Sequence, residues 1–359
     1  MKKKNVTKLL AAFAMSALVL AGCGSNESAD TNATEDNQTV EDAAEDTEQE
    51  ADTEENSEEV SEEESTEEIS EEEADEEENY NTGDASLDNT RNQDEIGENE
   101  ILVVSFGTSY NDSRRLTIGA IEDKIEAAFN DYSVRRGFTS QIIIDHVKSR
   151  DNVSIDNVGE ALDRAVNNGV KNLVIQPTHL MNGLEYNDLV EEVTAYSDAF
   201  EKVAIGEPLL TSDEDFQSVI KAITEATAEY DDGETAICFM GHGTEADSNS
   251  VYAKMQDMLT EAGYANYYVG TVEATPSLDD VLAKVQAGEY KKVVLQPLMI
   301  VAGDHANNDM AGDEDGSWKK TFEDAGYEVE CVVRGLGELE AIQDILVEHT
   351  QAAVDSLAE

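Results

Sequence analysis

The sequence predicts an α/β protein made of two similar domains, each built on a parallel sheet. Three observations carry that prediction. Short apolar runs alternate with segments of helical apolar spacing across residues 99–359. The strand runs are continuously apolar, which suits parallel sheets covered on both faces. The order of elements then restarts near residue 233, and each half carries a strand that closes on Gln-Pro, at Gln176-Pro177 and at Gln296-Pro297.

The first half, residues 99–232, starts with a strand at 101–104, broken at Gly107. Ile118, Ile121, Ile125 and Phe129 mark a helix, and 141–144 reads as the next strand. Ile155, Val158, Leu162 and Val166 mark a second helix, stopped by Gly169. Strands follow at 172–175 and 203–206, then a helix over 216–230. The second half, residues 233–359, opens with a strand at 236–240 that ends in Gly241-His242-Gly243. Val251, Met255, Met258 and Leu259 mark a helix, and 267–270 a strand. Leu278, Leu282 and Val285 mark a helix, followed by strands at 292–295 and 329–333 and a closing helix from 338 to about 358. Two Rossmann-like units related by internal duplication account for this order.

The chain begins differently. Lys2, Lys3, Lys4 and Lys8 flank an apolar run that is too short to span a bilayer comfortably and ends in Leu20-Ala21-Gly22-Cys23. This reads as a lipoprotein signal over 1–22, with Cys23 lipidated as the first mature residue. Stable attachment needs more than one acyl chain. The expected place is the extracytoplasmic face of a bacterial cell membrane, held by the anchor only. Residues 23–98 read as an acidic, disordered tether, with Arg91 their sole Lys or Arg. The net charge of -58 argues against a nucleic-acid partner. Cys238 and Cys331 read as buried strand residues, and three Cys do not make a disulfide framework.

Ligands of parallel α/β sheets bind beyond the carboxyl ends of the strands. In the second half His242 follows the first strand, Glu273 the second and His305 the third. Two imidazoles and a carboxylate suit a borderline divalent metal such as Co, Ni, Fe or Zn. A His beside Gly is also an ordinary polar turn residue, so it is the three together that point to a metal. Gly241, Gly243 and Gly303 would let a flat ligand approach the backbone. His179 follows the corresponding strand of the first half and is a candidate to line the cleft. His146 and His349 read as surface residues. Arg135 and Arg136 could grip ligand carboxylates or serve in ion pairs. Asp304, Asp309, Asp313, Glu314 and Asp315 could collect cations or form a solvated loop. Trp318 and the Met residues read as packing.

Ser105-Phe106-Gly107-Thr108-Ser109-Tyr110, Val134-Arg135-Arg136, Phe138-Thr139-Ser140, Gln176-Pro177-Thr178-His179, Gly241-His242-Gly243, Val272-Glu273 and the long segment from Gly303 to Asp313 carry a family resemblance. From residue 99 to its end the chain resembles the anaerobic sirohydrochlorin cobaltochelatases of the CbiK type. The resemblance implies a class II chelatase fold clasping a tetrapyrrole between two α/β domains. It implies insertion of Co2+ into sirohydrochlorin or factor II in cobalamin biosynthesis, without a nucleotide. It places the metal on His242, Glu273 and His305, with His242 and His305 catalytic, and substrate against Ser105, Thr108, Arg135 and Arg136. Members of that family typically work in the cytoplasm, whereas this chain carries an export signal. The alternative is a surface lipoprotein that binds heme, another tetrapyrrole or a divalent metal for uptake or storage. Homo-oligomerisation is left open.

Overall fold

The computed structural model describes residues 82–94 and 96–358. The signal over 1–22, Cys23 and the tether up to residue 81 lie outside the described residues. Among the described residues no helix is long and apolar enough to cross a membrane.

Among the described residues eight strands form two four-stranded sheets. The first holds β1 (Asn99–Ser105), β2 (Ser133–Phe138), β3 (Asn172–Pro177) and β4 (Lys202–Ile205) in the order β2-β1-β3-β4. The second holds β5 (Thr235–Gly241), β6 (Tyr267–Thr271), β7 (Lys292–Pro297) and β8 (Glu328–Cys331) in the order β6-β5-β7-β8. All the pairings are parallel. The two sheets share one topology, as the restart of the sequence pattern requires.

Helices cover both faces of each sheet: α1 (Asn111–Arg114), α2 (Ala120–Ala128), α3 (Gln141–Asp151), α4 (Val158–Asn168), α5 (Leu184–Ala195) and α6 (Asp213–Ala226) in the first half. The second half contributes α7 (Ser250–Glu261), α8 (Leu278–Gln286), α9 (Trp318–Asp324) and α10 (Glu340–Ser356). Strand side chains alternate between two cores, as a period of two dictates. Ile101 and Val103 join Ile237 and Phe239 in one large core shared by both halves. Leu102 and Val104 pack outward under α4 and α5, while Ala236, Cys238 and Met240 pack under α8 and α9. Trp318 is a core residue, as expected. Cys238 and Cys331 are both free, the first buried and the second half-buried.

Three sequence expectations change. Residues 141–144 begin α3 rather than a strand, and the Ser140 hydroxyl accepts from the Ile143 amide as N-cap. The strand at this point is β2, which carries Arg135 and Arg136. Two adjacent arginines hide a strand from any hydrophobic pattern. The closing helix α10 also does not stay with its own half. It packs on α2, α6 and β3, and Thr350 donates to the Gln176 side chain at 3.1 Å. The first sheet is therefore finished by the end of the chain.

The third change concerns the tether. Residues 82–94 form an ordered strap on the first half. The Asp112 amide donates to the Thr82 carbonyl at 2.8 Å, and Gln93 donates to the Val134 carbonyl at 2.9 Å. Arg91 is buried and ion-paired with Glu122, Asp123 and Glu126 at 3.2, 2.5 and 3.3 Å. Asp88 accepts from Arg114 at 2.7 Å and from Arg136 at 2.8 and 3.1 Å. Acidic composition suggested a spacer, but buried arginines on the domain supply what this segment lacks on its own.

Candidate metal centre

Strands β6, β5 and β7 are neighbours in that order, so their carboxyl ends lie side by side. His242 follows β5, Glu273 follows β6 and His305 follows β7. One ligand atom from each of the three lies within 4.8 Å of the others. The two imidazole rings stand edge to face, 4.7 Å apart at an interplanar angle of 83°.

The backbone around His242 is tightly specified. Gly243 has φ +96°, and a Cβ there would come within 2.9 Å of Ala274. The Glu273 amide donates to the His242 carbonyl at 2.9 Å, which ties the two ligand loops together. The Tyr252 hydroxyl accepts from the Gly243 amide at 3.3 Å. After His305 the chain runs into a π-helical turn, Ala306–Met310. Such turns recur at functional sites, and this one brings Asp309 under the ring. The Asn residues of this motif also have local work. Asn307 donates to the Gly303 carbonyl at 2.7 Å and Asn308 to the Asp304 carboxylate at 2.6 Å.

The tautomers follow from the partners. The His242 Nδ1 lies 2.8 Å from the Gly243 carbonyl, which can only accept, so Nδ1 carries the proton. The His305 Nδ1 lies 2.7 Å from an Asp309 carboxylate oxygen and donates in the same way. Both Nε2 lone pairs are therefore free for a metal, with the outer hydrogen bonds fixing ring orientation. Burial opposes a charged His305 ring, but the hydrogen bond and charge of Asp309, then the charges of Asp304 and Glu273, outweigh it and raise its pKa. Glu273 lies 3.7 Å from the His242 Nδ1 and would offset metal charge.

Beside this cluster opens a cleft with a volume of about 190 Å³. Its walls come from the strand ends of both sheets: Phe106, Gly107 and His179 from the first half, His242, Gly243 and Met299 from the second. The lining is mostly apolar. His179 lines it, as the sequence suggested, and so does Glu185, which the sequence reading passed over.

The other predicted substrate residues do not reach the cleft. Arg135 is fully buried, donating to Glu100 at 2.8 Å and to the Ala161 carbonyl at 2.5 Å. Arg136 is fully buried between Glu122 and Asp88. Both arginines serve ion pairs inside the first half, and the substrate role assigned to them is corrected. Ser105 and Thr108 are buried beneath the loop. The Ser105 hydroxyl accepts from Thr178 at 2.8 Å, and Thr108 Oγ1 accepts from the Tyr110 amide at 3.2 Å. They shape the loop that presents Phe106 and Gly107. Of the two remaining His, His349 is held by Asp215 at 3.1 Å rather than free on the surface.

The cobalt chelatase (CbiK) family model matches residues 99–355. The chain belongs to the CbiK cobalt chelatase family. It is 36% identical over 259 residues to the sirohydrochlorin cobaltochelatase of Salmonella typhimurium, covering 72% of this chain and 97% of that protein. It is 31% identical over 276 residues to the sirohydrochlorin cobaltochelatase CbiKC of Nitratidesulfovibrio vulgaris, covering 76% and 97%. Among solved structures, SirB from Bacillus subtilis with Fe3+ aligns at TM-score 0.53 and 12% identity, over 73% of this chain and 98% of that one. That likeness concerns the fold alone. The two four-stranded parallel sheets and their helices are thus a chelatase-type fold. The CbiK match starts at Asn99, so the strap at 82–94 lies outside it.

Proposed function

We propose that this CbiK-family chain inserts Co2+ into sirohydrochlorin, or into its oxidised form factor II, on the route to cobalamin. One observation carries the reading. His242, Glu273 and His305 converge at the edge of a mostly apolar cleft that could admit a flat ring. The names of two relatives above 30% identity support the substrate and the metal.

Insertion is a substitution without electron transfer. Co2+ loses water and gains the ring nitrogens, while two pyrrole N–H bonds break and release two protons. Two neutral imidazoles and one carboxylate hold a borderline cation firmly enough to dehydrate it. The ring nitrogens can then displace them one at a time. An imidazole that lets go of the metal recovers its lone pair and can accept a proton. His242 is placed to do so, since its Nδ1 proton is committed to Gly243 and its lone pair is left on Nε2. Nickel, iron or zinc would fit the same donor set.

The leader that ends at Cys23 supports attachment to the extracytoplasmic face of the membrane. The same chelatase would then work outside the cytoplasm, on substrate that reaches it there. The Cys23→Ala chain should leave the membrane fraction; retention would refute the anchor.

The enzymatic reading is tested by mixing the full chain with sirohydrochlorin and Co2+ and following the absorbance change of insertion. A rate no higher than that without protein sinks it. His242→Ala and His305→Ala should each abolish the catalysed rate with the circular dichroism spectrum unchanged.

A further inference from the structure

The metal site leaves one proton without a taker. Both His242 and His305 commit Nδ1–H to a carbonyl or a carboxylate, so each has a single lone pair, on Nε2. Holding the metal uses both lone pairs. Yet the first pyrrole proton must leave before the metal has fully passed to the ring. An acceptor outside the metal cluster is needed at that moment.

His179 meets the requirement. It follows β3 of the first sheet and lines the cleft that His242 lines from the second. Both of its ring nitrogens are buried, and neither has a hydrogen-bond partner among the described residues. Buried polar side chains are satisfied in nearly all native structures, and an exception marks a strained or functional group. The rest of the residue is well fixed, with its carbonyl accepting from the Leu209 amide at 2.9 Å.

We propose that His179 is a catalytic residue that takes the first pyrrole proton of metal insertion, leaving the second to His242 once the metal has moved. This rests on reading the cleft as the tetrapyrrole site. The first N–H bond breaks toward the free lone pair of His179, and the electron pair stays on the pyrrole nitrogen to bind the metal. The second proton goes to the Nε2 that His242 recovers. No oxidant or nucleotide enters the balance. Burial pushes the His179 pKa down to about 4, and the charge of Glu185 opposes the drop. The ring is therefore neutral and ready at neutral pH. Its imidazolium form gains support from Glu185 and from the carboxylates that the substrate itself brings.

The test uses the full chain with His179→Ala and His179→Gln, the second as a safeguard should the first fold poorly. Co2+ affinity is measured without tetrapyrrole, sirohydrochlorin affinity by fluorescence quenching without Co2+, and turnover with both. Both affinities should stay within about threefold of the parent chain while kcat falls about 100-fold, the usual worth of a positioned proton acceptor. Added imidazole should restore turnover at least about tenfold in His179→Ala, and not in His242→Ala, which lacks the metal site. Turnover within about twofold of the parent chain overturns the proposal. So does a loss that lies wholly in sirohydrochlorin affinity, unrescued by imidazole. Absence of insertion by the parent chain would instead overturn the functional reading, which keeps the two failures apart.

Discussion

Asp88 offers a sharp test of the fold, because it lies in a segment that composition alone assigns to a disordered tether. Its side chain is 3% exposed and carries the hydrogen bonds to Arg114 and Arg136. Asp88→Asn removes the charge and keeps the shape. Arg136 retains Glu122 at 2.7 and 2.8 Å. Among the described residues Arg114 keeps neutral hydrogen-bond acceptors, Asn111 at 2.5 Å and the Thr108 carbonyl at 3.1 Å, with the charge of Asp151 acting on it from further off. One buried guanidinium therefore loses its direct charge partner. Breaking a buried pair in this way costs about 3–5 kcal/mol, and the surviving neutral bonds put the loss near the lower end, about 3 kcal/mol. A domain of this size shifts by roughly 2–4 °C per kcal/mol, so the Tm should fall by about 6–12 °C.

Acid adds a second readout. Burial alone would raise the Asp88 pKa, but the hydrogen bonds and charge of Arg136, then Arg114, outweigh it and hold it below the ordinary carboxylate range. A depressed folded-state pKa gives stability that is present above the unfolded value, about 4, and lost as the pH falls through the folded value. The gap between the parent chain and Asp88→Asn should thus be full at pH 7 and shrink below about pH 4. Urea denaturation of the full chain at both pH values measures it. A loss under about 1 kcal/mol at pH 7, or one independent of pH, would mean that the strap does not hold the arginines as described.

Arg135→Met should destabilise the fold without raising the KM for tetrapyrrole selectively. Burial already pushes the Glu100 carboxyl up to about 7 against the pull of Arg135. Without the guanidinium it takes up a proton, which keeps the loss near about 3 kcal/mol; a raised KM at unchanged stability would restore the substrate role. Asp309→Ala should weaken Co2+ binding about 10–100-fold by releasing the His305 ring, with no change in thermal stability beyond the ordinary surface range. Isothermal titration without tetrapyrrole checks it, and an unchanged affinity would show that Asp309 does not orient the ligand.

What could be read from the sequence followed from burial. β1, β3, β5 and β7 are covered on both faces, so their apolar runs stand out. The Gly and His at the end of β5 stand out as well, because the turn needs the Gly at 243 and the cluster needs the His. β2 escaped notice because its buried face is bought with ion pairs. Arg135 and Arg136 reach Glu100, Glu122 and Asp88, and two of those partners lie in segments far from β2 in sequence. The same pairing hid the strap, since local composition cannot show that an acidic segment has buried arginines waiting. The apolar start of α3 mimicked a strand, and only the Ser140 cap tells it from one. Glu185 could have been found by counting through the duplication.

Residue 8 beyond the Gln-Pro of β7 is His305, and residue 8 beyond the Gln-Pro of β3 is Glu185. The register makes the second comparison: Val104 pairs with Pro177 as Met240 pairs with Pro297. Two residues on from each stand Phe106 and His242. Where the second half places two imidazoles, the first half places a phenyl ring and a carboxylate. Both Phe106 and Glu185 line the cleft. A duplicated pair of ligand sets would grip a metal from two sides and oppose its release. One ligand set faced by Phe106 and Glu185 would give insertion a direction. In the proposed reaction the metal would arrive from the second half, with the ring seated against the first. His179 is then the imidazole on the side where a departing proton meets no metal.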